Sequence, residues 1–324
     1  MNLTVSSSPH IRGKDTTSRL MLDVVIALLP ALVAGVIFQG LRAALVAAVC
    51  IVSTLAGEWL VGLALRRKNT LPDGSALVTG LLLALTLPAS VPYHAAAIGG
   101  LFAVIVVKGI CGGLGQNTFN PALGARAFLM LLFPACLTRF PALGSALPLG
   151  GMSPADVVTG ATPLHHMQMP ALPEASLAEM FLGNIGGCIG ETSALALLIG
   201  GGYLLFRRVI NIRIPAAYLG TVAILTLVFP KGDSPILWMA YSLLGGGVLL
   251  GAIFMATDYA TSPVDPVAQI VYGVGCGALT VVFRYTGLFP EGVTYAILLM
   301  NAAVWLLDRY LVPTRYGAGK EAAQ

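Results

Sequence analysis

The chain has 324 residues, 57% of them hydrophobic and only 10% charged, with a formal net charge of +4. A soluble domain carries about 25% charged residues, so this composition cannot cover a water-exposed surface and describes a membrane protein. No basic patch is interleaved with aromatics, which excludes a nucleic-acid surface.

In chain order, residues 1–19 are polar and lack the short apolar core and small-residue cleavage site of a signal peptide, so the first span is retained. A membrane helix needs about 20 mostly apolar residues. Ten segments qualify: 20–38, 41–65, 75–92, 94–113, 121–138, 180–206, 211–230, 235–255, 266–287 and 291–312. The third is interrupted by Pro88 and Pro92, and the sixth is long and glycine-rich, hence tilted or kinked. The expected fold is an all-α polytopic membrane protein with about ten transmembrane helices.

Lysine and arginine in the loops set the orientation. With the N-terminus in the cytoplasm, the inner segments hold twelve cations: Arg12, Lys14, Arg19, Arg66, Arg67, Lys68, Arg207, Arg208, Arg213, Arg309, Arg315 and Lys320. The outer segments hold only Arg42, Arg139, Lys231 and Arg284, while Lys108 and Arg126 fall inside spans. Both termini are therefore expected inside, and the long connection 139–179 outside.

A weak internal repeat relates "GGLFAVIVVKGICGGLGQNTFNP" (99–121) to "LGGGVLLGAIFMATDYATSPVDP" (244–266). Read as two inverted five-helix repeats, it divides the chain into a cytoplasmic N-terminal segment 1–19, a first repeat 20–138, the outer loop 139–179, a second repeat 180–313 and a tail 314–324.

The outer loop contains "ADVVTGATPLHH" (155–166). Thr162 offers an esterifiable hydroxyl, Gly160 and Ala161 leave the backbone open, and Pro163 stops a helix from continuing. From the residues alone this is an accessible loop or an ordinary turn. The stretch Asp156-Val-Val-Thr159-Gly160-Ala161-Thr162 resembles the flavinylation motif D-x-x-[ST]-G-A-T of the membrane subunits of Rnf complexes and of the sodium-pumping NADH:quinone reductase. "SSPHIRGKDTTSRLMLDVVIALLPA" (7–31) is similar to the N-terminal signature of the same family, and the likeness covers essentially the whole chain.

The resemblance implies that Thr162 carries FMN through a phosphoester bond, made by a flavin transferase with FAD as donor. It also implies a riboflavin held without a covalent link. The protein would relay electrons in a ferredoxin:NAD oxidoreductase (Rnf) complex of the bacterial inner membrane, coupled to Na+ or H+ transport. Its partners would be Rnf subunits A, B, C, E and G, with membrane lipid around it. The short N-terminus is similar to that of D subunits. The alternatives are the B subunit of the quinone reductase and a small-solute channel or transporter on the same five-plus-five plan.

Three further groups stand out. "KGICGGLGQNTFNPALGARAF" (108–128) and "MATDYATSPVDP" (255–266) are broken, polar regions. They either hold a flavin and line an electron or ion path, with Lys108, Asn120 and Arg126 as flavin contacts, or they cap cytoplasmic helix ends. Asp23, Glu58 and Glu191 are carboxylates within spans. Asp23 and Glu58 lie near span ends, where water can reach them, and Glu191 reads as a structural or flavin-pocket group. His165 and His166 follow the motif without metal-site spacing, His10 belongs to the N-terminal signature, and five scattered cysteines read as small buried hydrophobes. No catalytic side chain and no metal ligand set is assigned.

Overall fold

The computed structural model describes residues 16–311 except 67–69, 111–114, 142–146, 151–159, 161, 163, 165–166, 168–172, 174, 233 and 288–291. Among the described residues the regular structure is helical. Two long apolar helices open the bundle, α1 (Thr17–Gln39) and α2 (Leu41–Ala64). At 1.5 Å per residue each is longer than the ~30 Å hydrocarbon core. There follow α3 (Ser75–Thr86), α4 (Tyr93–Phe102), continued by a π-turn over Ala103–Ile110, α5 (Pro121–Leu132) and the one-turn α6 (Pro134–Leu137). The second half comprises α7 (Leu177–Leu182), α8 (Ala194–Phe206), α9 (Arg213–Val228), α10 (Pro235–Leu244), α11 (Val248–Leu250) running into a second π-turn (Gly251–Met255), α12 (Pro266–Thr286) and α13 (Val293–Tyr310).

The apolar segments fall where the sequence places them, but several are not continuous helices. Four described helices are long and apolar enough to cross a membrane unbroken: 17–39, 41–64, 93–110 and 266–286. The segment 180–206, expected as one span, is α7, an irregular stretch with a 3-10 turn at Ile189–Glu191, and then α8. The segment 235–255 bends by 61° between Leu244 and Val248. There Gly246 and Gly247 adopt φ of +63° and +67°, a region that only glycine enters without strain. The third segment stops at Thr86, ahead of Pro88 and Pro92.

The two halves pack in corresponding ways. Helix α2 lies against α3 and α4, α9 lies against α10 and α12, and the halves meet through α1 with α8 and α5 with α13. Helices α1 and α8 run antiparallel. Asp23, near the start of α1, bonds Tyr203 and Arg207 at the end of α8, while Gln39, at the end of α1, bonds the carbonyls of Gly187 and Cys188 ahead of it. The two repeat motifs also correspond locally, since Asn120 and Asp265 cap the helices that follow the two π-turns. Counted along the chain, however, these motifs stand four apolar segments apart, so they record a shared turn chemistry.

Close helix approach fixes the interior. A Cβ on Gly80 of α3 would lie 2.5 Å from Thr54 Oγ1 and 2.8 Å from Ile51 Cα of α2. The outer faces remain apolar, with Ile37, Leu131 and Phe206 exposed, as lipid or neighbouring membrane subunits require.

Candidate functional site

Arginines and lysines inside the bundle are the first surprise. Arg42 and Arg284, expected among the outer cations, are both buried, as are Lys108 and Arg126. Three of these four serve broken helices. A span that stops inside a membrane leaves backbone carbonyls without partners, and each costs several kcal/mol in hydrocarbon. Arg126 donates to Thr86 O at the end of α3. Arg42 donates to Ala89 O at 2.9 Å and Val91 O at 3.4 Å in the link that follows. Arg284 donates to Ser242 O, Gly245 O and Gly246 O at 2.7, 2.9 and 3.2 Å, closing the bend after α10. Gln39 does the same for the irregular sixth segment, at 3.0 and 3.3 Å. Hence a cation in an apolar run marks a nearby helix break, a signal that loop counting overlooks.

At the end of the bundle that carries Arg207 and Arg66, the two π-turns border one cavity of about 80 Å³, room for a few waters. Its polar lining includes Ser75, Lys108, Asn117, Asn120, Thr257 and Asp258, with Tyr259 beside them. The π-turn widens the backbone and directs Lys108 to Glu58 of α2. Its Nζ donates to Glu58 Oε1 and Oε2 at 2.9 and 2.8 Å and to Ser75 Oγ at 2.8 Å. Thr70 also donates to Glu58. Glu58 and Asp23, expected to be reached by water, are therefore buried and ion-paired; Asp23 takes Tyr203 OH at 2.8 Å and Arg207 at 3.2 Å.

Asn120 has two jobs. Its Oδ1 accepts from Ala122 N and Leu123 N, capping α5, and its Nδ2 donates to Met255 O at the end of the second π-turn. It thereby joins the two halves at the cavity. Asn120→Ala is expected to lower stability by about 1 kcal/mol for the cap, plus the lost donor to Met255. Asn120→Asp, which restores a cap like Asp265, should recover the first part only. Melting of the detergent-solubilised protein measures both.

Asp258 sits in the turn after the second π-turn, hydrogen-bonded to Thr261 Oγ1 at 3.3 Å, and burial raises its pKa. Of the three residues expected as flavin contacts, Lys108 and Asn120 line the cavity. Arg126 is not among its lining residues and is bound to Thr86 O and, at 3.5 Å, to Cys188 Sγ. Asn117 and Asp258 join the cavity without a motif that names them. Glu191 lies in the 3-10 turn of the sixth segment, where its carboxylate accepts from Cys188 N at 3.5 Å.

The opposite end carries the long connection. Gly160 N donates to Phe140 O at 3.0 Å. Thr162 is half-buried, and two residues on Leu164 is buried against the Gly246 bend, where a Cβ would meet its methyl at 2.6 Å. Met167 continues into a cluster with Met180, Ile185, Trp238 and Tyr241. Thr162, itself half-buried, thus sits between two anchors in the chain. Asp156, Thr159, Ala161, His165 and His166, and likewise His10, lie outside the described residues.

A family model described as "NQR2, RnfD, RnfE family" matches residues 4–317. The chain is similar to the D subunit of the Na(+)-translocating ferredoxin:NAD(+) oxidoreductase complex of Acetobacterium woodii, at 47% identity over 99% of this chain and 97% of the relative. It is similar to the D subunit of the proton-translocating ferredoxin:NAD(+) oxidoreductase complex of Clostridium ljungdahlii, at 40% over 97% and 96%. The D subunit of an ion-translocating oxidoreductase complex of Stutzerimonas stutzeri matches at 39% over 94% and 93%.

Proposed function

The chain belongs to the NQR2, RnfD, RnfE family of membrane proteins, and from that premise we propose that it is the D subunit of an Rnf-type ferredoxin:NAD oxidoreductase, carrying FMN on Thr162. The observation that carries the reading is the run from Asp156 to Thr162 in a chain whose relatives are named as D subunits. The half-buried setting of Thr162 between the Gly160 and Leu164 anchors supports it.

Bound flavin supplies the ability to take and give electrons singly; the protein supplies position and electrostatics. Thr162 Oγ1 holds the phosphate. Gly160 and Leu164 fix the backbone on either side, so the cofactor stays at one place on the surface. Subunits A, B, C, E and G bring the ferredoxin and NAD chemistry, and electron transfer is coupled to Na+ or H+ movement through the assembly. A flavin transferase loads Thr162. The protein lies in the bacterial inner membrane with both termini cytoplasmic and the 139–179 loop periplasmic, between five-helix units at 20–138 and 180–313.

The second flavin, a riboflavin held without a bond, would enter between the π-turns only as that cavity, with room now for a few waters, widens. Lys108, Asn117, Asn120 and Asp258 offer it charge and hydrogen bonds, and Arg126 stays a helix cap. Because burial raises the pKa of Asp258, its carboxyl remains a hydrogen-bond donor at pH values where an ordinary carboxyl has lost its proton. Retention of this flavin is therefore expected to weaken as pH rises through that raised pKa. Asp258→Ala should lose acid-extractable riboflavin while the covalent flavin remains.

The whole reading is tested by purifying the complex from cells that contain the transferase. A denaturing gel viewed under ultraviolet light should show a fluorescent band for this chain, co-purified with an iron–sulfur subunit. A dark band, or a chain that purifies alone, sinks it.

A further inference from the structure

The outer loop is gripped by one side chain of the first half. Arg42 is 1% exposed at the start of α2, and it does more than cap the α3–α4 link. Its NH1 donates to Pro148 O and, at 2.8 Å, to Gly150 O. Its guanidinium stands 4.8 Å from the ring centroid of Tyr93, whose hydroxyl donates to Leu149 O at 2.8 Å. The carbonyls of three consecutive loop residues are thus all held. Ser90, in the same link, donates to Arg139 O at 2.8 Å at the start of the loop. The next residue, Phe140, receives the amide of Gly160 from the flavinylation motif.

Only arginine has this reach. Four carbonyls from two segments need donors spread across a planar fork, and a lysine ammonium gathers its three donors at one point. Were capping the broken third segment the sole task, Ala89 and Val91 would satisfy it. The bonds to Pro148 and Gly150 serve the loop alone.

We propose that Arg42, with Tyr93, is a positioning residue for the flavin. It pins the Thr162-bearing loop to the first half and so fixes where the tethered ring sits relative to the redox groups of neighbouring subunits. The inference rests on the covalent-flavin reading for the flavin, but not for the clamp.

The test uses the intact complex with Arg42→Lys and Tyr93→Phe. Two measurements are made on each: hydrogen exchange of the peptide spanning 139–165, and the rate at which the covalent flavin is reduced, normalised to in-gel flavin fluorescence. Tyr93→Phe removes one neutral hydrogen bond and should speed exchange about fivefold. Arg42→Lys should exceed about tenfold. Both should slow flavin reduction at unchanged flavin loading.

Faster exchange with an unchanged reduction rate overturns the positioning role and leaves Arg42 a helix-break cap. Unchanged exchange in Tyr93→Phe overturns the clamp, even if Arg42→Lys fails to assemble. If the wild-type chain carries no covalent flavin, the functional reading fails, and the exchange measurement still judges the clamp.

Discussion

If Thr162 carries the flavin as proposed, Thr162→Val is expected to remove the covalent flavin from this chain. On that reading, loading would exchange the P–O–P link of FAD for a P–O–C link to Thr162 Oγ1, with the hydroxyl proton lost and AMP departing. Valine has the shape of threonine without the nucleophile, so the fluorescent band on a denaturing gel should vanish altogether. Thr162→Ser keeps a hydroxyl and should keep the band. The substitution leaves the anchors in place: Gly160 still bonds Phe140 through its backbone, and Leu164 still packs on the Gly246 bend. The stability cost should therefore stay within about 1 kcal/mol, and the variant should reach the membrane at wild-type level. Electron transfer by the assembled complex should fall with the flavin. A band that persists in Thr162→Val would move the attachment elsewhere, with Thr159 as the first place to look.

How much of the molecule is legible in the sequence depends on which physical signal each residue sends. Apolar runs report partition between lipid and water, and those place the apolar segments well. Helix continuity obeys a different rule. Proline and glycine signal the breaks at Thr86 and Gly183–Ser193, while the one at Gly245–Gly247 interrupts a run that hydropathy reads as unbroken; in each, the cost of the break is met by side chains remote in sequence. Arg42 and Arg284 count with the outer cations for the same reason. Both stand close to a span end, and nothing local says that their partners are carbonyls inside the fold. The candidate site divides similarly. The motif around Thr162 is contiguous and readable by resemblance. The inner cavity joins Lys108, Asn117 and Asn120 of one half to Asp258 of the other, and only folding brings them together. Arg126 is the misleading member, since its place in the same polar stretch says nothing of the turn of α5 that aims it at Thr86.

Lys108→Met is expected to be strongly destabilising. Lys108 and Glu58 are both buried, and the ammonium contacts the two carboxylate oxygens at 2.9 and 2.8 Å. Forming such a pair gains little over a well-packed apolar alternative, because desolvation offsets the attraction. Breaking it is another matter, since the partner left behind is an unpaired charge in an apolar bundle. That costs about 3–5 kcal/mol. Glu58→Gln should be costly for the mirror reason, because it strands the ammonium beside Ser75. The double variant, Lys108→Met with Glu58→Gln, leaves no charge, and the introduced amide oxygen can still accept from the Thr70 hydroxyl, so most of the loss should be recovered. Thermal melting of the detergent-solubilised complex across this cycle reads the coupling directly. A double variant as unstable as the sum of the singles would show that the two residues act independently.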